Sequence, residues 1–268
     1  MRDIQTYYER GLERDRITGD GGTIEFIRTQ ELLRRFLSPA PASILDVGGG
    51  PGAHAVWLAR DGYHVHLIDP MPLHIEQATA AAAAQPEHPF TAARGDARRL
   101  DLPADSYDVA LLLGPLYHLT ERSERLVALS EARRVLRPGG RLFAVVISRF
   151  ASLYSALVRD ALGDPAVARM VAADLETGAH RNPTLSDDPW WFTNAYFHHP
   201  AEVIPEVEAA GFVVDDLLAV EGPASYIGGG WRDPAQRPHI LDTARAVERE
   251  PSLFGASAHL IAIATNPA

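Results

Sequence analysis

Glycines and carboxylates crowd into one short stretch of the chain, Asp46, Gly48, Gly49, Gly50 and Gly52, and another acid, Asp69, follows. Glycine removes the side chain where a backbone must turn sharply and approach a ligand. An acid at the end of the next strand can accept hydrogen bonds from the hydroxyls of a ribose. Gly48, Gly50 and Ala53 meet the G-x-G-x-x-G/A spacing of a dinucleotide loop, so these residues alone fit a dinucleotide and another adenosine-bearing cofactor equally. Asp46 weighs against a pyrophosphate, because a carboxylate beside phosphates is disfavoured unless it is turned away or paired. Gly95, Asp96 and Ala97 add a further acid, placed to meet an adenine amino group.

The elements that must position these residues follow from the hydrophobic period. Ile24, Ile27, Leu32, Leu33, Phe36 and Leu37 recur at helical spacing and stop before Ser38, Pro39 and Pro41. An apolar run over 44–47 ends in the glycines, and a helical pattern with Val56, Trp57 and Leu58 begins directly after: strand, loop, helix. Strands over 65–68, 90–93, 109–113 and 142–147 alternate with helices over 73–84 and 123–136, the second stopped by Arg137, Pro138 and Gly139. This alternation predicts an α/β fold, a doubly wound, mainly parallel sheet with helices on both faces.

The rhythm breaks over 149–200, where helical pieces lead into Trp190, Trp191, Phe192, Tyr196, Phe197, His198 and His199. A long ordered excursion of this kind predicts a helical lid inserted over a ligand. A helix over 201–210, a strand over 212–220 and a last strand over 258–264 resume the pattern, with 221–256 inserted before that last strand. There is no fixed-period repeat and no Ser/Gly linker, so 1–268 reads as a single domain with 1–40 as an N-terminal helical cap.

Composition removes several chemistries. The 268 residues contain no cysteine, which excludes disulfides, thiolate catalysis, zinc ribbons and iron–sulfur clusters. All 25 basic residues are arginine, which excludes a Schiff-base lysine and the lysine of a P-loop. A net charge of −10 argues against a nucleic-acid partner and for a small-molecule substrate, with Arg94, Arg98 and Arg99 the cluster that could still dock phosphate. The first sixteen residues carry charge throughout, and the apolar centre of the uncharged stretch 251–268 is too short to span a bilayer. A cytoplasmic protein without a membrane partner, monomeric or homodimeric, is expected. His64 and His66 share a strand face with no third ligand nearby in sequence, so no metal is expected.

Five stretches in order, ILDVGGGPG (44–52), LIDP (67–70), GDA (95–97), SYDVALLLGPLYHL (106–119) and LRPGGRL (136–142), resemble the class I S-adenosylmethionine-dependent methyltransferases across essentially the whole chain. The resemblance implies a seven-stranded sheet in the order 3-2-1-4-5-7-6 with the last strand antiparallel. It implies that Asp46, Gly48, Gly50 and Gly52 line the methionine side of S-adenosylmethionine. Asp69, followed by Pro70, would accept from both ribose hydroxyls, Asp96 and Ala97 would border the adenine, and Leu113 and Gly114 would sit beside the sulfonium. Arg28 is placed as the carboxylate-binding arginine of some relatives is, and Tyr8 would bring an aromatic face to the cationic sulfur.

Methyl transfer from a sulfonium is an in-line displacement in which the protein mainly aligns two molecules and excludes water. A base matters only for a hydroxyl or a protonated amine. His118, with Tyr117 beside it, is the candidate, because the two follow the strand whose carboxyl end should face the reacting methyl. Trp191 and Tyr196 are the candidate walls for an apolar or aromatic acceptor. Competing expectations are an RNA-modifying methyltransferase, a protein that binds the cofactor without turnover, and an NAD(P)-binding oxidoreductase.

Overall fold

The computed structural model describes residues 8, 23–182, 192–226, 231 and 233–268. Helix α1 (Ile24–Phe36) begins where the Thr23 side chain accepts from the Phe26 N–H and ends at Leu37, whose extended backbone leads to the prolines. Its buried face leads into strand β1 (Ser43–Val47), which has only its first residue outside the core. After the glycines come α2 (Ala53–Arg60), β2 (His64–Asp69), the alanine-rich α3 (Pro72–Ala83) and β3 (Thr91–Arg94). Alanine is the best helix former, and proline at the start of α3 sacrifices no intrahelical bond.

Strand β4 (Tyr107–Leu112) runs into a single turn of helix, α4 (Pro115–His118), and then α5 (Arg122–Val135). Strand β5 (Leu136–Ile147) starts earlier than its apolar pattern: the backbone pairs from Leu136 onward, with a register shift in the partner between Tyr107 and Val109. Asn266 holds that turn by donating through Nδ2 to the carbonyls of Leu136 and Arg137.

The seven strands lie in the order β3-β2-β1-β4-β5-β9-β8, where β8 (Val213–Ala219) and β9 (His259–Thr265) are the sixth and seventh strands of the main sheet in sequence. Only β9 runs against its neighbours, antiparallel to both β5 and β8. This is the order and the reversed last strand that the resemblance implies. Alternate residues of each strand feed opposite faces. Leu45, Val47, Ala110 and Leu112 pack with Ala128, Leu129 and Ala132 of α5, while Ile44, Val109 and Leu111 pack with Leu32, Leu33, Ala55 and Leu58. Asp46 falls within this buried strand, which makes its carboxylate an exception to be explained.

Between β5 and β8 lie α6 (Ala151–Val158), α7 (Pro165–Thr177), the short pair β6 (Ala179–His180) and β7 (Ala195–Tyr196), and α8 (Pro200–Ala209). Helix α9 (Arg237–Val247), flanked by two 3₁₀ turns, lies between β8 and β9. No helix among the described residues is long and apolar enough to cross a membrane.

Candidate functional site

The loop after β1 is built by three left-handed glycines, Gly48, Gly50 and Gly52, with φ of 71°, 56° and 92°. The loop is anchored where the Gly48 N–H donates to the Ile68 carbonyl and the Gly50 N–H to Asp69 Oδ2, at 3.0 Å. Space differs along it. A Cβ on Gly49 would fall 2.5 Å from Asp46 Oδ2, whereas a Cβ on Gly50 would meet nothing within 4 Å among the described residues. Gly48 and Gly114 lie against each other, since a Cβ on Gly114 would approach the Gly48 carbonyl to 3.3 Å. The loop and the end of β4 are thus direct neighbours.

Two acids stand against this loop, Asp46 beside Gly49 and Asp69 on the Gly50 N–H. Asp46 is 1% exposed, and its Oδ2 has no hydrogen-bond partner among the described residues. Burial first, and the neighbouring Asp69 second, push its pKa up to about 7. Asp69 is also buried but well held: Oδ1 accepts from the Met71 N–H and lies 3.0 Å from His74 Nδ1, while Oδ2 takes Gly50. Pro70, exposed beside it, accepts from Arg94 Nε through its carbonyl.

Residues far apart in sequence meet here. The Tyr8 hydroxyl lies 2.7 Å from His118 Nε2, and the Tyr8 ring packs edge-on against His74. Tyr8, His118, His74 and Asp69 therefore form a continuous chain of contacts. Asp96 is held by Arg98, through both the backbone N–H and the guanidinium, which keeps its carboxyl below the ordinary range; Ala97 packs against the core. Arg98 also pairs with Glu124, and Arg99 with Asp101, so the expected basic cluster is matched by acids. Leu113 packs against the core beside Gly114.

Two expectations are corrected by the geometry. Arg28 is fully buried and spends its donors inside the protein: Nε on the Val220 carbonyl, Nη1 on Glu31 and Nη2 on Glu248. It ties α1 to the region around α9 and is not offered to a ligand. Tyr196 has Arg125 3.9 Å above its ring, and its hydroxyl donates to Glu202 and accepts from Arg149. It belongs to a network that fixes α8 and does not wall an acceptor. Arg125 also forks onto Glu206, which His198 contacts; with both partners, Glu206 titrates at about 2 despite its burial. Trp191 lies outside the described residues.

A cavity of about 420 Å³ is lined by Tyr117, three residues past Gly114, and by residues of α6 and α7. Ile147, Ala151, Ala156, Val167, Met170, Phe192 and Phe197 give it apolar walls, and His180, Tyr226 and His259 add polar groups. His118 does not line it; its ring stacks on Phe192 with centroids 5.5 Å apart. A wider groove, about 620 Å³, lies between α2 and α3 and is lined by Gly52, Leu73, Gln77 and several alanines, none of them among the residues predicted to carry chemistry apart from Gly52. Sequence reasoning missed His74, Asp174, His180, Tyr226 and the Glu221–His259 pair. Only the five-residue step from Asp69 to His74 had a local signal. Glu25, Glu221 and His259 bring ligand-capable atoms within 4.8 Å of one another, but Glu221 already accepts from the His259 N–H and Ser257 and pairs with the His259 ring.

Comparison with known proteins agrees with this geometry. A family described as a methyltransferase domain matches residues 44–140, which hold the glycine loop, both acids and Gly114. This match agrees with the resemblance of the five stretches to the class I S-adenosylmethionine-dependent methyltransferases. An S-adenosyl-L-methionine-dependent Diels-Alderase from Talaromyces variabilis is 35% identical over 126 residues, 46% of this chain and 42% of that protein. A ubiquinone/menaquinone biosynthesis C-methyltransferase from Zymomonas mobilis is 25% identical over 219 residues, covering 79% of this chain and 84% of the relative. The crystal structure of a SAM-dependent methyltransferase from Methanosarcina mazei superimposes with a TM-score of 0.60 at 19% identity, over 88% of this chain and 97% of that one. The chain thus spans about two fifths of the length of several curated relatives it matches, the Diels-Alderase among them, and most of the Zymomonas mobilis protein.

Proposed function

We propose that this protein binds S-adenosylmethionine in the cleft between the glycine loop and β4 and transfers its methyl group to a small, largely apolar acceptor in the cavity beside Tyr117. One observation carries the reading: Gly114 lies between the glycine loop, at the Gly48 carbonyl, and the hydroxyl of Tyr117, which lines the cavity, while the unpartnered carboxylate of Asp46 stands beside Gly49 of the same loop. The residues fit the ligand. An orphaned carboxylate oxygen suits a cationic ammonium, and the space over Gly50 suits a ligand packed against bare backbone.

When bound, the cofactor supplies an electrophilic methyl on a good leaving group, so the chain's work is alignment and exclusion of water. Asp46 balances positive charge at the amino-acid end. Asp69, fixed by Gly50, Met71 and His74, keeps lone pairs for the ribose hydroxyls. Asp96 and Ala97 border the adenine, and Tyr8 with His118 closes the cleft. Tyr117 and Phe192, with ring centroids 5.9 Å apart, screen the mouth of the cavity from water.

The test is a thermal-shift comparison of S-adenosylhomocysteine with NAD(P)H, followed by release of S-adenosylhomocysteine from S-adenosylmethionine over a panel of hydroxylated aromatic acceptors. Stabilisation by the nicotinamide alone refutes the reading. The similarity to a Diels-Alderase favours a second reading, in which the same site holds the cofactor without turnover while the apolar cavity folds a substrate. Stabilisation by S-adenosylhomocysteine with no product over the whole panel supports that one instead.

A further inference from the structure

The cavity contains a pair of residues that the functional reading leaves unused. His180, at the end of β6, lines the cavity wall and is 3% exposed; Asp174, in the last turn of α7, is fully buried. His180 Nδ1 lies 2.8 Å from Asp174 Oδ2. That contact places the donor proton on Nδ1 and leaves Nε2, on the other side of the ring, as a proton acceptor. Nε2 is buried and has no hydrogen-bond partner among the described residues, and neither has Asp174 Oδ1. An unpartnered buried acceptor on a residue that lines the cavity is one that a ligand's donor would satisfy.

The surroundings suit a ring that becomes charged. Phe197 stacks on the His180 imidazole at 4.5 Å, and Phe192 stands 6.4 Å away. Aromatic faces favour a cation, and so does a buried carboxylate on Nδ1. The other histidines nearby are placed differently. His118 Nε2 is engaged by Tyr8 and does not line the cavity. His259 lines it, but its ring pairs with Glu221, which also accepts from Ser257 and from the His259 backbone, and its side chain is 17% exposed against 4% for His180.

We propose that His180, positioned by Asp174, accepts the proton of a hydroxyl on the acceptor, so that the substrate class is a compact, mostly apolar phenol or enol. This rests on the proposed methyl transfer. The acceptor O–H bond breaks and its proton goes to His180 Nε2. The electron pair left on oxygen forms the new O–CH₃ bond, while the C–S bond breaks with its pair kept by sulfur. The imidazolium proton then passes to solvent. Asp174 acts through His180 and touches no reacting atom.

The test uses 4-nitrophenol as the probe, titrated into the full chain saturated with S-adenosylhomocysteine at about pH 6, where the free phenol is mostly protonated and a bound phenolate is read by its visible absorbance. The expected result is a phenolate band in the wild type, cut about tenfold or more by His180→Asn and severalfold by Asp174→Asn, with S-adenosylhomocysteine affinity by calorimetry unchanged within about twofold. Retained affinity shows that each variant folds; should His180→Asn fail that check, His180→Gln takes its place. A wild type that binds S-adenosylhomocysteine but gives no phenolate overturns the inference and leaves the methyl-transfer reading standing. So does an undiminished band in His180→Asn, or a band lost only in His259→Asn. A wild type that does not bind S-adenosylhomocysteine overturns that reading, and this inference with it.

Discussion

Asp46 offers a measurable consequence of placing a carboxylate inside a buried strand. Its pKa is about 7 in the native protein against 3.8 for an ordinary aspartate, raised by burial and by Asp69. The unfolded chain therefore ionises this group at its ordinary value, whereas the native chain holds the proton until about pH 7. An acid raised in this direction contributes stability that is present below its unfolded pKa and is lost as pH rises through the native value. At about 1.4 kcal/mol per pK unit, the loss between pH 5 and pH 8 comes to about 2–3 kcal/mol. An asparagine at this position cannot ionise. Urea unfolding of the ligand-free Asp46→Asn variant and the wild type at several pH values should give a difference that grows by about that amount towards pH 8, with the variant the more stable there. Other groups act in both proteins and cancel in the comparison, including His54, which burial holds neutral down to about pH 4. Parallel pH slopes for the two proteins would refute the placement of Asp46 as an uncompensated buried acid.

Neighbouring glycines should separate ligand space from packing space. Gly50→Ala carries only the left-handed backbone cost of about 1–2 kcal/mol and should fold, yet bind S-adenosylhomocysteine at least tenfold more weakly, because its Cβ enters open space that the ligand fills. Gly49→Ala drives a Cβ against Asp46 and Leu67 and should cost about 1–3 kcal/mol in denaturant; unchanged stability would contradict the geometry. Arg28→Ala removes one of the two arginines on the buried Glu248, leaving Arg35, and also the donor to the Val220 carbonyl; it should destabilise by about 1–3 kcal/mol, while the folded fraction binds S-adenosylhomocysteine as the wild type does. Lost affinity in a folded Arg28→Ala protein would restore that arginine to the cofactor.

The sheet and the loop were legible because their signals are local. Alternating apolar residues write strand faces directly into sequence, and glycines with φ above zero must be glycines wherever the turn occurs. Strand β5 was longer than its apolar core, since the pairing of 136–141 depends on Asn266 from the far end of the chain. Side-chain partnerships were the illegible part. Tyr8 reaches His118 across 110 positions and Arg28 reaches Glu248 across 220, and neither contact has a period or a spacing. An arginine on a helix reads the same whether it faces solvent, a ligand carboxylate or a buried glutamate. His180 was passed over for a related reason: it stands two residues beyond Gly178, the left-handed cap of α7, and its role depends on Asp174 across that helix end.

Binding of the amino-acid and ribose ends of an adenosyl sulfur compound, in a bare-backbone cleft beside two buried acids, is the proposal on which the others rest. A crystal structure of the full chain grown with S-adenosylhomocysteine examines it at atomic level. Density packed on Gly50, an ammonium against Asp46 and ribose hydroxyls on Asp69 are the expected result. An empty cleft under saturating ligand, or the compound bound elsewhere with Asp46 still unpartnered, would contradict it.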